Sequence, residues 1–361
     1  MATAFPFAAI VGQNEMRDAL RLASVDPSLG GILVIGDRGT GKTTAVRGLS
    51  ALLPPISARP GCRYNCDPAS PAEPCEICNA TKAPAARSRP MPVVDLPLGS
   101  TEDRVVGTLD IERALLSGEK RFEPGLLAAA HRGFLYIDEV NLLEDHIVDM
   151  LLDVAASGHC SVEREGLSAR YPARFVLVGS GNPEEGELRP QLLDRFGLCV
   201  DVESPREVKD RIEVVRRRDA FERDPAAFVR RFARATSKER KAILAARERL
   251  ADVEVPDEAM EAIAAICIAL GIDGLRGELT LMRAARARAS LDDSTRVGNR
   301  HIAAMAPASL RHRLRRDPLD EFGSGARVQR VLEQLGLVEV PSAPVERASS
   351  TVERSRALPV V

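Results

Sequence analysis

The segment Gly36-Asp37-Arg38-Gly39-Thr40-Gly41-Lys42-Thr43 follows a short apolar run, Ile32–Ile35, and leads into a helical pattern that begins near Thr43. The spacing Gly-x-x-x-x-Gly-Lys-Thr suits a loop that wraps a polyphosphate. Glycines let backbone N–H groups turn inward around phosphate oxygens, and the N-terminus of the next helix adds positive potential. Lys42 then reaches the β- and γ-phosphates of ATP, the Thr43 hydroxyl binds Mg²⁺, and Thr44 follows on the same helix.

Further residues complete a hydrolytic set. Phe134-Leu135-Tyr136-Ile137-Asp138-Glu139 is an apolar strand ending in two acids, about a hundred residues after the phosphate loop. That placement gives Asp138 the support of Mg²⁺ and Glu139 the removal of a proton from the attacking water. Phe175–Val178 runs into Gly179-Ser180-Gly181-Asn182-Pro183, which puts Asn182 at a strand tip where it can reach a γ-phosphate and orient water. An Asx turn before proline is the plainer role for Asn182. Arg195 and Arg189 lie around a short helix before the last strand, where a surface ion pair is their ordinary use. Arg276 opens a helix, Gly274-Leu275-Arg276-Gly277. A cation there opposes the helix dipole unless an anion such as ATP phosphate, or a carboxylate such as Asp273 or Glu278, sits opposite.

These residues need a rigid frame. Ile32–Ile35, Val93–Leu96, Phe134–Ile137, Phe175–Val178 and Cys199–Val202 are short and apolar, as strands covered on both faces are. They imply an α/β domain over 1–205 with a five-stranded parallel sheet between helices. After Ser204-Pro205 the pattern becomes helical, with Arg206–Arg218 and Ala226–Leu250 rich in charge, and helices expected from Pro256 to Gly271 and from about Leu275 to Leu291. We read 206–335 as an all-α domain and 336–361 as a disordered tail.

A formal net charge of −2 gives no electrostatic reason to expect nucleic acid, although Arg311–Arg316 is locally basic. The longest apolar run, Ala262–Leu270, is too short to span a bilayer, and the N-terminus has no secretory pattern, so a cytoplasmic setting is expected. Cys62, Cys66, Cys75 and Cys78 lie in a Pro-rich insert, 57–90. Four thiols at that spacing leave three options open: a tetrahedral Zn²⁺, reversible redox pairing, or no joint role. Cys160, Cys199 and Cys267 read as core thiols.

Taken in order, the phosphate loop, the acidic strand end, Asn182, Arg195 and Arg276 resemble the motif set of AAA+ ATPases. The text between them is more specific. Phe5–Gln13, Val94–Gly99, Thr101–Gly107, Phe122–Leu127 and Gly181–Gln191 closely resemble the ATPase I subunit family of magnesium chelatase, over about residues 5–335. The resemblance implies ATP-dependent hexameric rings, an AAA+ partner (the D subunit), and a porphyrin-binding H subunit. That partner would insert Mg²⁺ into protoporphyrin IX for chlorophyll or bacteriochlorophyll synthesis.

By position, the resemblance places Val11, Gly12 and Gln13 by the adenine, and Gly36, Asp37, Arg38, Gly39, Thr40 and Gly41 with Lys42, Thr43 and Thr44 around the phosphates. Arg195 becomes an arginine finger into a neighbour's site, Arg189 a second basic contact and Arg276 a sensor, open to a neighbour's nucleotide because the helical domain is displaced in this family. A hairpin over 158–173 and an insert near Leu109–Gly125 facing partners are also implied. The four-Cys cluster is not shared by all members, so the common chemistry does not need it. A processed plastid member would work in the stroma. The D subunit is a nearer rival, but its degraded P-loop, acidic Pro-rich linker and Asp-x-Ser-x-Ser domain do not occur here. Two alternatives remain at this level: a related AAA+ ATPase remodelling another metalloenzyme or complex, and a nucleic-acid motor.

Overall fold

Side-chain alternation along five apolar strands builds the frame of this protein. In the computed structural model, which describes residues 3–69, 75, 78, 86–110, 116, 122–164, 167–186, 188–314 and 324–338, these strands are β1 Gly31–Gly36, β2 Val93–Leu96, β3 Phe134–Ile137, β4 Val176–Gly181 and β5 Phe196–Val202. They form one sheet in the order β5-β1-β4-β3-β2, every pair parallel.

The registers Val34↔Ser180 and Val178↔Tyr136 align the carboxyl ends of β1, β4 and β3. Ligands bind at that end in open α/β sheets. Odd and even side chains then go to different cores. Ile32, Val34, Phe134, Tyr136, Val176, Val178, Leu198 and Val200 face one cluster, with Leu20 of α1 (Asn14–Val25) and Leu49 of α2 (Lys42–Leu52). Leu33, Leu135, Ile137 and Leu177 face the other, with Val148 and Leu151 of α3 (Asp145–Ser157). Truncating one of these fully buried leucines to Ala would cost about 2–5 kcal/mol.

Two strands run further than their apolar patterns. β5 starts at Phe196 rather than Cys199 because Gly197 is a packing requirement, not a turn: a Cβ there would lie 1.7 Å from the Leu29 carbonyl oxygen. β4 ends at Gly181 rather than Val178, since its ladder with β1 continues to Ile35↔Gly181. The helix after the phosphate loop starts at Lys42, one residue before Thr43.

Beyond β5 come α4 (Val208–Arg223), α5 (Pro225–Arg249), α6 (Asp257–Leu270), α7 (Arg276–Leu291), α8 (Asn299–Leu310) and α9 (Ser324–Gln334). α5 starts where the Asp224 side chain accepts from the Ala227 N–H at 2.9 Å, and α6 stops at Gly271 in the left-handed region (φ 66°). α4 buries no residue and carries i,i+4 pairs such as Arg217–Glu213 and Arg218–Glu222, as a solvated Arg/Glu face should. α5 and α7 pack on α1, and Ile263, Leu281 and Ile302 join the cluster that holds Leu20. Among the described residues the helical region therefore shares a core with the sheet's first face.

Among the described residues three antiparallel pairs accompany the sheet: Ile56–Ala58 with Arg87–Arg89, Gly107–Leu109 with Phe122–Pro124, and His159–Arg164 with Leu167–Pro172. Glu165 and Gly166, residues 70–74, 76–77 and 79–85 of the 57–90 insert, residues 111–115 and 117–121 of the insert near Leu109–Gly125, and the tail from Val340 lie outside the described residues.

Candidate active site

The loop between β1 and α2 holds Gly39 and Gly41 at φ 80° and 89°, a left-handed conformation that glycine adopts without strain. No side chain caps the start of α2, so its first N–H groups are left for an external acceptor. They open into a cavity of about 280 Å³ lined by the loop residues Arg38 to Thr44 together with Asp138, Glu139, Ser180, Gly181 and Asn182. Thus Arg38, Gly39, Thr40, Gly41, Lys42, Thr43, Thr44, Asp138, Glu139 and Asn182, singled out from sequence, converge on one site. Gly36 and Asp37 form its root: their carbonyls accept the Lys42 ammonium, Asp37 at 3.1 Å. Partial burial lowers the Lys42 pKa and nearby Asp138 opposes this. A polyphosphate would replace these weak carbonyl acceptors with full negative charge.

A hydroxyl relay that the motif reading missed joins the metal-type donors. Tyr136, on the same face of β3 as Asp138, donates to Asp138 Oδ1 at 2.8 Å and lies 3.0 Å from Thr43 Oγ1. Ser180 Oγ donates to the same carboxylate oxygen at 2.5 Å and accepts the Glu139 N–H at 3.2 Å. Burial pushes the Tyr136 phenol up to about 12, so it stays a donor at neutral pH. A hard divalent cation suits this oxygen donor set: the Thr43 hydroxyl keeps its lone pairs while its proton goes to Tyr136, and Asp138 is held by two hydroxyls. The available signal was parity, since Phe134, Tyr136 and Asp138 alternate onto one side of the strand.

Glu139 sits at φ 55°, unusual for a non-glycine residue and a mark of a site under constraint. Arg38 reaches its carboxylate at 3.3 Å and also pairs with Glu185, so a cation spans the mouth of the cavity. Asn182 is buried, and its Oδ1 accepts the Glu184 N–H at 3.2 Å. It therefore makes an Asx turn and also lines the cavity.

Other predicted residues lie away from this cavity. Gln13 donates to the Glu203 carbonyl at 2.8 Å, and Val11 and Gly12 precede it at the start of α1. Arg195 pairs with Asp149 (2.7 Å) and Asp153 (3.0 Å), and Arg189 with Asp145 (2.6 Å); these acids recur every fourth residue along α3. Arg276 pairs with Asp194 at 2.7 Å, and the same carboxylate holds the buried Arg313. Arg311 is used by Glu15 and Asp201, so the described part of the basic run is spent on internal pairs. The four thiols of Cys62, Cys66, Cys75 and Cys78 form a separate buried cluster, and none lines the cavity. Cys160, Cys199 and Cys267 are buried, as core thiols are.

Comparison with known proteins agrees with this geometry. The family described as "Magnesium chelatase, subunit ChlI" matches residues 110–196, and the AAA lid domain matches 260–334. The magnesium-chelatase 38 kDa subunit of Acidiphilium rubrum is 63% identical over 92% of this chain and 97% of its own length. That of Cereibacter sphaeroides is 60% identical over 93% and 99%. A BchI–BchD complex of magnesium chelatase, reconstructed by cryo-EM, contains a chain with 57% identity and TM-score 0.53, covering 92% of this chain and all of that one. A putative ATPase from Cytophaga hutchinsonii shares the fold at TM-score 0.61 and 16% identity, over 90% of both chains. With an intact phosphate loop, an acidic strand end and this similarity along nearly its whole length, the chain belongs to the ATPase subunit I family of magnesium chelatase, built on the AAA+ fold.

Proposed function

We propose that the chain is the ATP-hydrolysing motor subunit of a magnesium chelatase, driving Mg²⁺ insertion into protoporphyrin IX by a porphyrin-binding partner. The convergence of the phosphate loop with Asp138, Glu139 and Asn182 in one cavity carries this reading. In it, the loop N–H groups and Lys42 bind and neutralise the β- and γ-phosphates. Thr43 and Asp138 hold Mg²⁺, which supplies charge neutralisation between the phosphates when bound. Glu139 takes the proton of a water that Asn182 orients. Val11, Gly12 and Gln13 take the adenine side. ATP and Mg²⁺ belong to this cavity; Zn²⁺ enters only at the four distant thiols.

The work is shared between subunits in this reading. Arg189, Arg195 and Arg276 do not line their own chain's cavity; the first two rest on carboxylates of α3 and the third on Asp194. This supports their use in trans, with Arg195 as the finger in a hexameric ring. We assign a D-type AAA+ subunit and an H-type porphyrin-binding subunit as partners, and a cytoplasmic setting. Among the described residues no helix is long and apolar enough to cross a membrane.

Reconstitution tests the reading. The chain, combined with H and D subunits, Mg²⁺, ATP and protoporphyrin IX, should yield Mg-protoporphyrin. If it yields none where a known I subunit succeeds, the assignment fails.

A further inference from the structure

The lobe between α2 and β2 has little regular structure: among its described residues only Ile56–Ala58 and Arg87–Arg89 pair as short strands. Yet Cys62, Cys66, Cys75 and Cys78 are 7%, 4%, 6% and 4% exposed, and among the described residues they form a cluster of their own against which Tyr64 is the one hydrophobic side chain packed. Four thiols are too little apolar surface to hold such a lobe together; small units without a core are held by disulfides or by a metal. The four sulfur atoms all lie within 4.8 Å of one another.

Their spacing discriminates between the two staples. A disulfide brings two sulfurs to about 2.05 Å and has no need of the other pair at the same centre. A tetrahedral ion with Zn–S bonds of about 2.3 Å sets every S···S edge near 3.8 Å. Cys62 Sγ and Cys75 Sγ are 3.7 Å apart. One mutual cluster of four is the metal pattern, and an all-sulfur tetrahedron favours Zn²⁺ or an iron–sulfur centre over Mg²⁺ or Ca²⁺.

We propose that Cys62, Cys66, Cys75 and Cys78 bind one Zn²⁺ as a closed structural site, releasing their four S–H protons to solvent as the four Zn–S bonds form. The site stands apart from nucleotide hydrolysis and does not rest on the motor reading. It stabilises a lobe that is bolted to the segment delivering the catalytic acids. Asn65, held at φ 51° between the first two cysteines, donates to the Ala129 carbonyl at 3.0 Å and the His131 carbonyl at 3.3 Å. Arg132 answers with bonds to the Ser57 carbonyl (2.6 Å), the Asn65 carbonyl (3.1 Å) and Asp67 (2.8 Å). Arg59 donates to the Cys78 carbonyl at 2.9 Å. Residues 129–132 lead straight into β3, at whose end stand Asp138 and Glu139.

The test uses the full chain, purified under reducing conditions. Elemental analysis should find one zinc per chain, released when a thiol-specific mercurial is titrated in and read with a chromophoric chelator. Cys62→Ser and Cys75→Ser should lose the zinc, while Cys199→Ala keeps it. Replacing zinc with Co²⁺ in the unaltered chain should give tetrahedral d–d bands with intense sulfur-to-metal charge transfer, a readout that survives if the serine variants fail to fold. Three results would overturn the proposal: reduced protein without zinc and without the cobalt spectrum, a visible iron–sulfur chromophore in place of zinc, or zinc-free protein whose four thiols pair on mild oxidation.

Discussion

Tyr136→Phe isolates the hydroxyl relay. The ring stays, so the core around a side chain only 2% exposed keeps its volume. What goes is one hydroxyl, donating to Asp138 at 2.8 Å and lying 3.0 Å from Thr43. A hydrogen bond to a charged acceptor contributes about 1.5–3 kcal/mol. Asp138 keeps its 2.5 Å bond from Ser180, so the lower end applies. A loss of about 1.4 kcal/mol is tenfold in an equilibrium constant. Of the three groups that lose a partner, Ser180 Oγ at 3.1 Å is not a ligand, whereas Asp138 and Thr43 are the proposed Mg²⁺ ligands, so the loss should fall on the metal. We expect the free Mg²⁺ giving half-maximal ATPase at saturating ATP to rise about tenfold, with metal-free nucleotide binding nearly unchanged. Tyr171→Phe is the control, because its buried hydroxyl bonds the Val106 carbonyl away from the cavity and should cost stability alone. A Mg²⁺ curve for Tyr136→Phe that superimposes on the wild type would refute the relay. So would a shift of equal size in Tyr171→Phe.

Further predictions address the acid, the finger and the lid. Glu139→Gln should bind ATP but hydrolyse it about 10²–10⁴-fold more slowly, as expected for removing a general base, in a nucleotide-binding assay run beside single-turnover hydrolysis. Arg195→Ala should be nearly inactive alone and regain ATPase activity when mixed with a Lys42→Ala chain that still carries the finger; absence of rescue in mixed assemblies contradicts action in trans. His312 is buried against the Phe196 carbonyl at 2.9 Å, and burial pushes it down to about 3 from the ordinary 6.5. The unfolded chain therefore takes a proton below about 6.5 that the folded chain refuses, and stability falls as pH drops toward 3, by about 1.4 kcal/mol per unit. Above that window the group contributes no pH dependence. Urea midpoints at pH 7, 6 and 5 should fall more steeply for wild type than for His312→Gln, and parallel slopes would exclude the group.

Much of the site was legible because its chemistry is local. The phosphate loop works through backbone N–H groups within eight consecutive residues, so spacing alone carries it. Asp138, Glu139 and Asn182 were readable for a related reason: each ends an apolar run, and parallel strands line up their carboxyl ends at one edge. Strand limits were less legible where glycine interrupts the pattern, because Gly179 and Gly197 look like turns until the close approach of Val140 and of the Leu29 carbonyl is seen. Tyr136 and Ser180 come from different strands and meet only because Val178 pairs with Tyr136.

By itself, then, the sequence determined the order of apolar strands, the nucleotide loop and the acids that follow it, since each depends on residues near one another in the chain. Tertiary structure alone decided which cations stay out of their own cavity. Arg195 meets α3 across 46 residues and Arg276 meets Asp194 across 82. It also decided that thiols spread from Cys62 to Cys78 share one centre and that the helical region shares the sheet's core. Pairings over such distances are set by packing, because ion pairs and thiol clusters have no sequence period that would announce their partners.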